Sequence, residues 1–429
     1  MPQPPSAVTR DEPVIRDRGD ACPGALRLHA ADDGFLARVR IPGGLLTAPQ
    51  ASALGLAAER FGDGHLELTS RGNVQVRGLS EGCGAGLAQL LDSAGLLPAP
   101  GHERVRNVVA TPLSGQGQPG RPDVLPWVRE LDRLLCANAR VTALSGRFLF
   151  AFDDGRGDVA ALGPDVTVLG RPDGRALLRL GPADGAVAVA GDDAPRAALA
   201  AAEYFLDAAD AAGTRAWRVR ELPAGHALDE AEFAVRLAAA GIAAAPVAAA
   251  HRPYSAPPSP GWTGGALCVL PPLGRLDAGQ WRALSEVAAR GGSGMRITPW
   301  RTVVVPGAPS DGPARLAAAG LAVTPGSRWE NVTACTGRPG CAKALADVRA
   351  DAAAAAERAR GPLPVHWSGC ERRCGHPQGR AWVDVVATGP GYALSVHGRP
   401  VPDHPDLTAA LAAARSTPSE EAEAPSATQ

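Results

Sequence analysis

The sequence predicts an α+β fold built from two tandem related halves. Three observations predict it: an internal repeat, a strand–helix–strand pattern inside each copy, and a longer α/β stretch after each copy. Residues 46–71 align with 276–301 at one constant offset, which matches Leu46 with Leu276, Gln50 with Gln280, Leu54 with Leu284, Arg60 with Arg290 and Arg71 with Arg301. In a chain rich in Ala and Gly the small-residue matches carry little weight. Two Arg, two Leu and one Gln in a single frame carry more.

The first copy opens with a short strand over 36–41 and passes through a Pro/Gly turn into a helix over 48–60, whose apolar residues recur at helical spacing. A Gly-rich loop then leads to strands over 65–68 and 73–76. The second copy has a strand over 266–270, a helix over 278–290 and one long strand over 296–305. The stretches 105–220 and 331–411 alternate strand and helix patterns, and the Pro-rich segment 253–260 reads as a joint between halves. Polar, Pro-bearing ends read as disordered. The expected organisation is therefore a disordered segment 1–20, units 21–100 and 101–250, units 251–326 and 327–415, and a disordered tail 416–429.

The chain has 429 residues, enough for two or three buried cores, with 45% apolar and 20% charged residues and a formal charge of -1. Near-neutrality gives no reason to expect nucleic acid or an anionic membrane as partner. No apolar run approaches the roughly 20 residues of a membrane span, and the polar N-terminus lacks the apolar segment of a secretory signal, so a cytoplasmic protein is expected. Lys343 is the single lysine. With nearly every cation an arginine, any one Arg is weak evidence of a site.

Eight cysteines in such a chain point to metal or redox chemistry more than to disulfides. Cys22, Cys83, Cys136 and Cys268 stand singly and read as incidental thiols. Cys335-x5-Cys341 and Cys370-x3-Cys374 form two pairs. Cys341 is expected to open a helix running through Val348, whose N-terminus would favour thiolates. The second pair follows a strand over 364–367 and lies in a turn bounded by Gly369 and Gly375. Two such loops suit an iron–sulfur cluster. Structural zinc and unliganded core thiols are the alternatives, and the x5 spacing fits zinc poorly. The run Gly82-Cys-Gly-Ala-Gly86 lacks the spacing and the later acidic residue of a dinucleotide loop, so electrons are expected from a separate donor.

These cysteines, preceded by Leu68-Thr-Ser-Arg71-Gly-Asn73-Val-Gln75-Val-Arg77, resemble the sirohaem sulfite and nitrite reductase superfamily over about residues 23–411. That resemblance implies a ferredoxin-like unit plus a larger α/β unit in each half. It also implies a 4Fe-4S cluster on Cys335, Cys341, Cys370 and Cys374, and a bound tetrapyrrole. The chain departs from the reductases where their anion-holding Lys-x-Lys pair becomes Arg147-Phe-Leu149, and it is shorter than typical assimilatory reductases. With Arg106-Asn107, Phe152-Asp-Asp154-Gly, Thr298-Pro-Trp-Arg301 and Gly375-His376-Pro377 it resembles the precorrin-3B synthase family.

This second resemblance makes the tetrapyrrole a substrate. It implies hydroxylation of precorrin-3A by dioxygen with closure of a γ-lactone, electrons from a ferredoxin or an NAD(P)H reductase, and a mononuclear non-haem iron. Sirohaem belongs only to the alternative, a sulfite or nitrite reductase. Guanidinium groups pair with the substrate's carboxylates, and the implied positions are Arg71, Arg77, Arg106, Arg147 and, through the repeat, Arg301. Gln75 and Asn73 are expected at the macrocycle edge. Arg71 and Arg77 would share one face if their strand were unbroken. His376 and His366, with Asp154 or Asp384, are the candidate iron ligands.

Overall fold

The computed structural model describes residues 20, 22–116, 119–247, 253–377, 381–396, 398–402 and 404–416. Most of both expected disordered ends, 1–19 and 417–429, lies outside the described residues. The chain divides into two compact units. One comprises described residues of 20–26, Val39–Gly44 and Leu96–Pro257; the other comprises Arg27–Arg38, Leu45–Gly95 and described residues from 258 onward. Both copies of the repeat and the cysteine-bearing segment therefore share the second unit.

Within that unit the copies exchange strands. The first sheet runs His29–Ala31, Gly34–Val39, Val74–Leu79, His65–Leu68 and ends on Arg275–Asp277 from the second copy. The second runs Gly261–Thr263, Ala266–Val269, Val303–Pro306, Met295–Ile297 and ends on Leu45–Leu46 from the first copy. Each donated strand directly precedes its own copy's helix, Ala48–Phe61 or Ala278–Gly291. Those helices begin at matching capping boxes: Thr47 with Gln50, and Asp277 with Gln280. Trp281 is buried between them, and its indole N–H donates to the Ala51 carbonyl at 2.8 Å.

The constant repeat frame breaks after the helices. Glu67 pairs with Gln75 in the first hairpin and Arg296 with Val304 in the second. The closing turns agree, since Thr69 N–H donates to Asn73 O and Thr298 N–H to Thr302 O. Helix ends and hairpins can both be superposed only if the intervening loop is one residue shorter in the second copy. Arg301 thus corresponds to Gly72, and Arg71 to Trp300, which corrects the Arg71–Arg301 match. The long strand expected over 296–305 is two strands joined by this turn. Arg71 lies in the equivalent turn and not on a strand, so no common face unites it with Arg77.

The cysteine-bearing sheet runs Val332–Ala334, Val365–Ser368, Val383–Ala387, Tyr392–Val396 and Arg399–Pro400, its first three strands parallel. Its core gathers Val365, Trp367, Val383, Val385, Val348 and Leu411. The last helix, Leu407–Arg415, is fixed by Arg415, which is buried and donates to the carbonyls of Leu363, Ala359 and Gly361.

The other unit holds a six-stranded sheet in the order Ala244–Val247, Ala186–Ala190, Arg175–Leu180, Val166–Gly170, Phe150–Asp153, Val108–Ala110. Helices Leu125–Ala137 and Ala194–Ala211 pack on it. Asp20, assigned from sequence to the disordered end, is anchored here by the Gly146 N–H at 2.6 Å and the Ser145 hydroxyl at 2.8 Å. Among the described residues no helix is long and apolar enough to cross a membrane.

Candidate cluster site and anion cleft

Strand ends place the cysteines. Val332–Ala334 and Val365–Ser368 are parallel neighbours with Ala334 opposite Trp367, so Cys335 and Cys370 leave the sheet at the same edge. Carboxyl ends of parallel strands are where open α/β sheets present ligand sites. Cys335 N–H donates to Trp367 O at 2.9 Å, and Gly369 N–H donates to the Cys335 sulfur at 3.2 Å. Cys335, Cys341 and Cys370 are half-buried and Cys374 is exposed. Cys341 does not open a helix: the helix begins at Val348, capped by Asp347, so N–H donors to sulfur come from loops and not from a helix end.

Burial pushes Cys335 and Cys374 up; Cys374 and Cys370 add to this at Cys335, and Cys370 and Cys341 at Cys374. Among the described residues no group of three or more His, Cys, Asp or Glu closes on a single metal ion. Four thiols on two adjoining loops, with a backbone N–H on one sulfur, fit a 4Fe-4S cluster taking one thiolate per corner. They fit a tetrahedral zinc site less well.

Side chains from the repeat hold both cysteine loops. Arg77 grips Asp33 through two hydrogen bonds, at 2.9 and 2.8 Å, and donates to Gly340 O at 3.1 Å, next to Cys341. Asp32 accepts from the Ala342 N–H at 2.5 Å. Arg301 donates from Nη2 to Gly375 O at 2.8 Å, and His366 bonds through Nε2 to Cys374 O at 3.1 Å. The other His366 nitrogen meets the Thr333 hydroxyl at 2.9 Å. Burial drives His366 down to about 3, so the ring is neutral.

A cleft of about 170 Å³ opens beside Cys335 and Cys374, lined by Arg38, Arg275, Arg301, Arg349, Gln75 and Glu67 among others. At about 30 Å³ per water this has room for small groups and not for a large ring. Four guanidiniums line the cleft together with one carboxylate. Glu67 is the hub: Arg349 lies 2.5 Å away, Arg275 3.8 Å, and Gln75 donates from Nε2 at 3.4 Å. Gln75 Oε1 in turn accepts from Arg38 Nε at 3.0 Å. Such pairing orients the cations before any ligand arrives. Sequence reasoning missed Arg38, Arg275, Arg349 and Glu67. A trace existed in the strand that Arg275 opens, which continues the first copy's sheet beside Glu67.

Several expected residues have other partners. Arg77 is engaged as described, and Arg106, in the other unit, is buried against Asp132 at 2.6 and 2.7 Å. Arg147 lies over the Trp217 ring at 4.8 Å. Asp154 forms a two-bond pair with Arg156, while Asp384 pairs with Arg373. His376 stacks on Trp382, with Nδ1 2.8 Å from Pro377 O. Asn73 closes its hairpin turn, its N–H donating to Thr69 Oγ1 at 3.1 Å. His366 and Asp384 are register partners on neighbouring strands, and His366 also bonds to the Cys374 loop.

The family description "Nitrite/Sulfite reductase ferredoxin-like half domain" matches residues 28–93 and again 263–319. The structure of the Mycobacterium tuberculosis NirA protein is similar in fold, with a TM-score of 0.69 at 22% identity, covering 86% of this chain and 77% of that one. The chain is also 29% identical to a precorrin-3B synthase of Sinorhizobium sp, over 90% of this chain and 84% of that protein. Each copy of the repeat thus carries a match to the ferredoxin-like half domain of nitrite and sulfite reductases. The chain is likewise 27% identical to a ferredoxin–nitrite reductase of Synechococcus elongatus, over 80% of this chain and 74% of that one. Both relatives are oxidoreductases, and both matched half domains lie in the copies whose exchanged strands carry the cleft.

Proposed function

We propose that this protein is a monooxygenase of the precorrin-3B synthase type, acting on precorrin-3A in aerobic cobalamin biosynthesis. Dioxygen, two electrons and two protons are consumed; one oxygen atom enters the meso position between rings A and D and the other leaves as water, and the ring A acetate closes the γ-lactone. The observation that carries this reading over the reductase one is Leu149. Where the reductases place an anion-holding lysine, Leu149 is 4% exposed and packed in the sheet core, and its N–H donates to Asp165 at 2.9 Å. A buried leucine cannot hold sulfite or nitrite. Similarity to precorrin-3B synthase over 90% of the chain supports the same choice.

Cys335, Cys341, Cys370 and Cys374 would hold a 4Fe-4S cluster, which supplies one-electron transfer when bound. Arg38, Arg275, Arg301 and Arg349 receive carboxylate arms of the substrate in the cleft beside Cys335 and Cys374. Glu67 and Gln75 fix the directions of three of these cations, so that their remaining N–H groups select the pose of the ring. Arg71 contributes from the neighbouring turn. Arg77 and Arg106 are not assigned to substrate, because internal carboxylates already hold them. No step is assigned to a mononuclear iron. Electrons come from a separate carrier, a ferredoxin or an NAD(P)H reductase.

Incubation of anoxically purified protein with precorrin-3A, a reductant and labelled dioxygen tests this. One labelled oxygen per product is expected. Stoichiometric sirohaem in the visible spectrum together with sulfite or nitrite reduction would instead establish the reductase reading.

A further inference from the structure

Arg301 has a left-handed backbone, with φ of 60°. Its structural counterpart in the first copy is Gly72, with φ of 65°, so the hairpin turn itself demands this conformation. Glycine adopts it freely, whereas a residue with a Cβ is strained there by about 1 kcal/mol or more. The second copy nevertheless keeps a bulky side chain. Strain retained at a built turn invites a functional explanation. The neighbourhood is also shaped around that side chain, because a Cβ on Gly274 would approach the Cβ and Cδ of Arg301 to 2.7 Å.

The guanidinium occupies two sites at once. Its Nη2 holds Gly375 O at 2.8 Å, on the peptide that follows Cys374, while the same side chain lines the anion cleft with Arg38, Arg275, Arg349, Cys335 and Cys374. Cys374 is the most exposed of the four cysteines, and its own carbonyl is held by His366. The loop bearing the fourth ligand is thus tied to a cation that an incoming anion meets directly.

We propose that Arg301 couples occupancy of the anion cleft to the Cys374 loop, so that binding of a polycarboxylate tetrapyrrole changes the reduction potential of the cluster held there. This rests on the cluster and cleft reading above. Local charge and hydrogen bonding set such potentials. A carboxylate arm that neutralises Arg301 disfavours the added electron, so the loaded protein is harder to reduce. Arg301 thus meets a substrate arm on one side and acts on the cluster through the Cys374 loop on the other.

The test uses anoxic protein carrying its cluster, with uroporphyrin I, an octacarboxylate, as the probe. Binding is read by porphyrin fluorescence, the potential by redox titration followed by electron paramagnetic resonance, and folding by thermal melting. Saturating uroporphyrin is expected to lower the reduced-to-oxidised ratio of wild type about tenfold at fixed potential, which is 59 mV for one electron. Arg301→Gly should melt no lower than wild type, because it relaxes the turn. It should start from a lower potential and lose most of the uroporphyrin-induced change. Arg275→Gln should weaken uroporphyrin binding without moving the potential of the free protein.

A full uroporphyrin response in Arg301→Gly, or bound uroporphyrin with no response in wild type, overturns the coupling. A protein without iron and sulfide, or one that binds no uroporphyrin, overturns the cluster or cleft reading beneath it. These failures are separated by the metal assay and the fluorescence titration.

Discussion

Arg77 offers the most direct mechanical test of how the cysteine loops are held. Arg77→Gln removes both bonds to Asp33 and the bond to Gly340 O, which lies one residue before Cys341. Taking one partner from a buried ion pair costs about 3–5 kcal/mol. The Arg77 side chain is 7% exposed, but that of Asp33 is 25% exposed, so water recovers part of the loss. An expected destabilisation of about 2–3 kcal/mol follows. Urea unfolding monitored by tryptophan fluorescence measures it, and iron content in the same samples reports whether the Cys341 loop still binds. Asp33→Asn in the Arg77→Gln background removes the orphaned charge and should restore about 1 kcal/mol or more. A loss below about 0.5 kcal/mol with iron unchanged would show that the clamp does not hold the loop.

Asp158, buried beside Asp153, is pushed up to about 7, by burial first and then by the Asp153 charge, against the lowering effects of Thr111 and Arg156. The folded protein therefore binds this proton more tightly than the unfolded chain, and stability falls as pH rises from about 4 to about 7. Asp158→Asn keeps an oxygen for the Thr111 hydroxyl and the Val159 N–H; it should flatten that dependence and add about 1–3 kcal/mol at pH 8, as read by urea midpoints across the range. Gly369→Ala would bring a Cβ to 2.6 Å from the Ala344 Cβ, displacing the Cys370 turn; less than half the wild-type iron is expected, with recovery on adding Ala344→Gly. Trp281→Phe removes the 2.8 Å bond to Ala51 O between the paired helices and should cost about 1–2 kcal/mol by the same unfolding assay.

Where periodicity and local chemistry act alone, the sequence was a good guide. Both repeat helices lie where apolar spacing puts them, because Thr47 and Asp277 cap them by purely local bonds. The Arg71–Arg301 match failed because a one-residue shortening hides in a Gly-rich loop where Gly64 and Gly294 still align. The helix at Cys341 failed because Asp32 and Arg77, from far along the chain, hold that loop in a single turn. Distance in sequence also concealed Asp33 and Asp132, which turn Arg77 and Arg106 inward. The cleft cations Arg38, Arg275 and Arg349 come from a strand, a donated edge strand and a helix. Tertiary packing, and for Arg275 strand exchange, gathers them around Glu67 and Gln75, and no local pattern records that.

Metal and acid-labile sulfide analysis of anoxically purified protein bears most directly on the chemistry assigned to the four cysteines. About four iron and four sulfide per chain are expected, falling sharply on serine substitution of Cys335, Cys341, Cys370 or Cys374 and unaffected at Cys22, Cys83, Cys136 or Cys268. One zinc per chain without sulfide, or iron that survives loss of any of those four thiols, would contradict it.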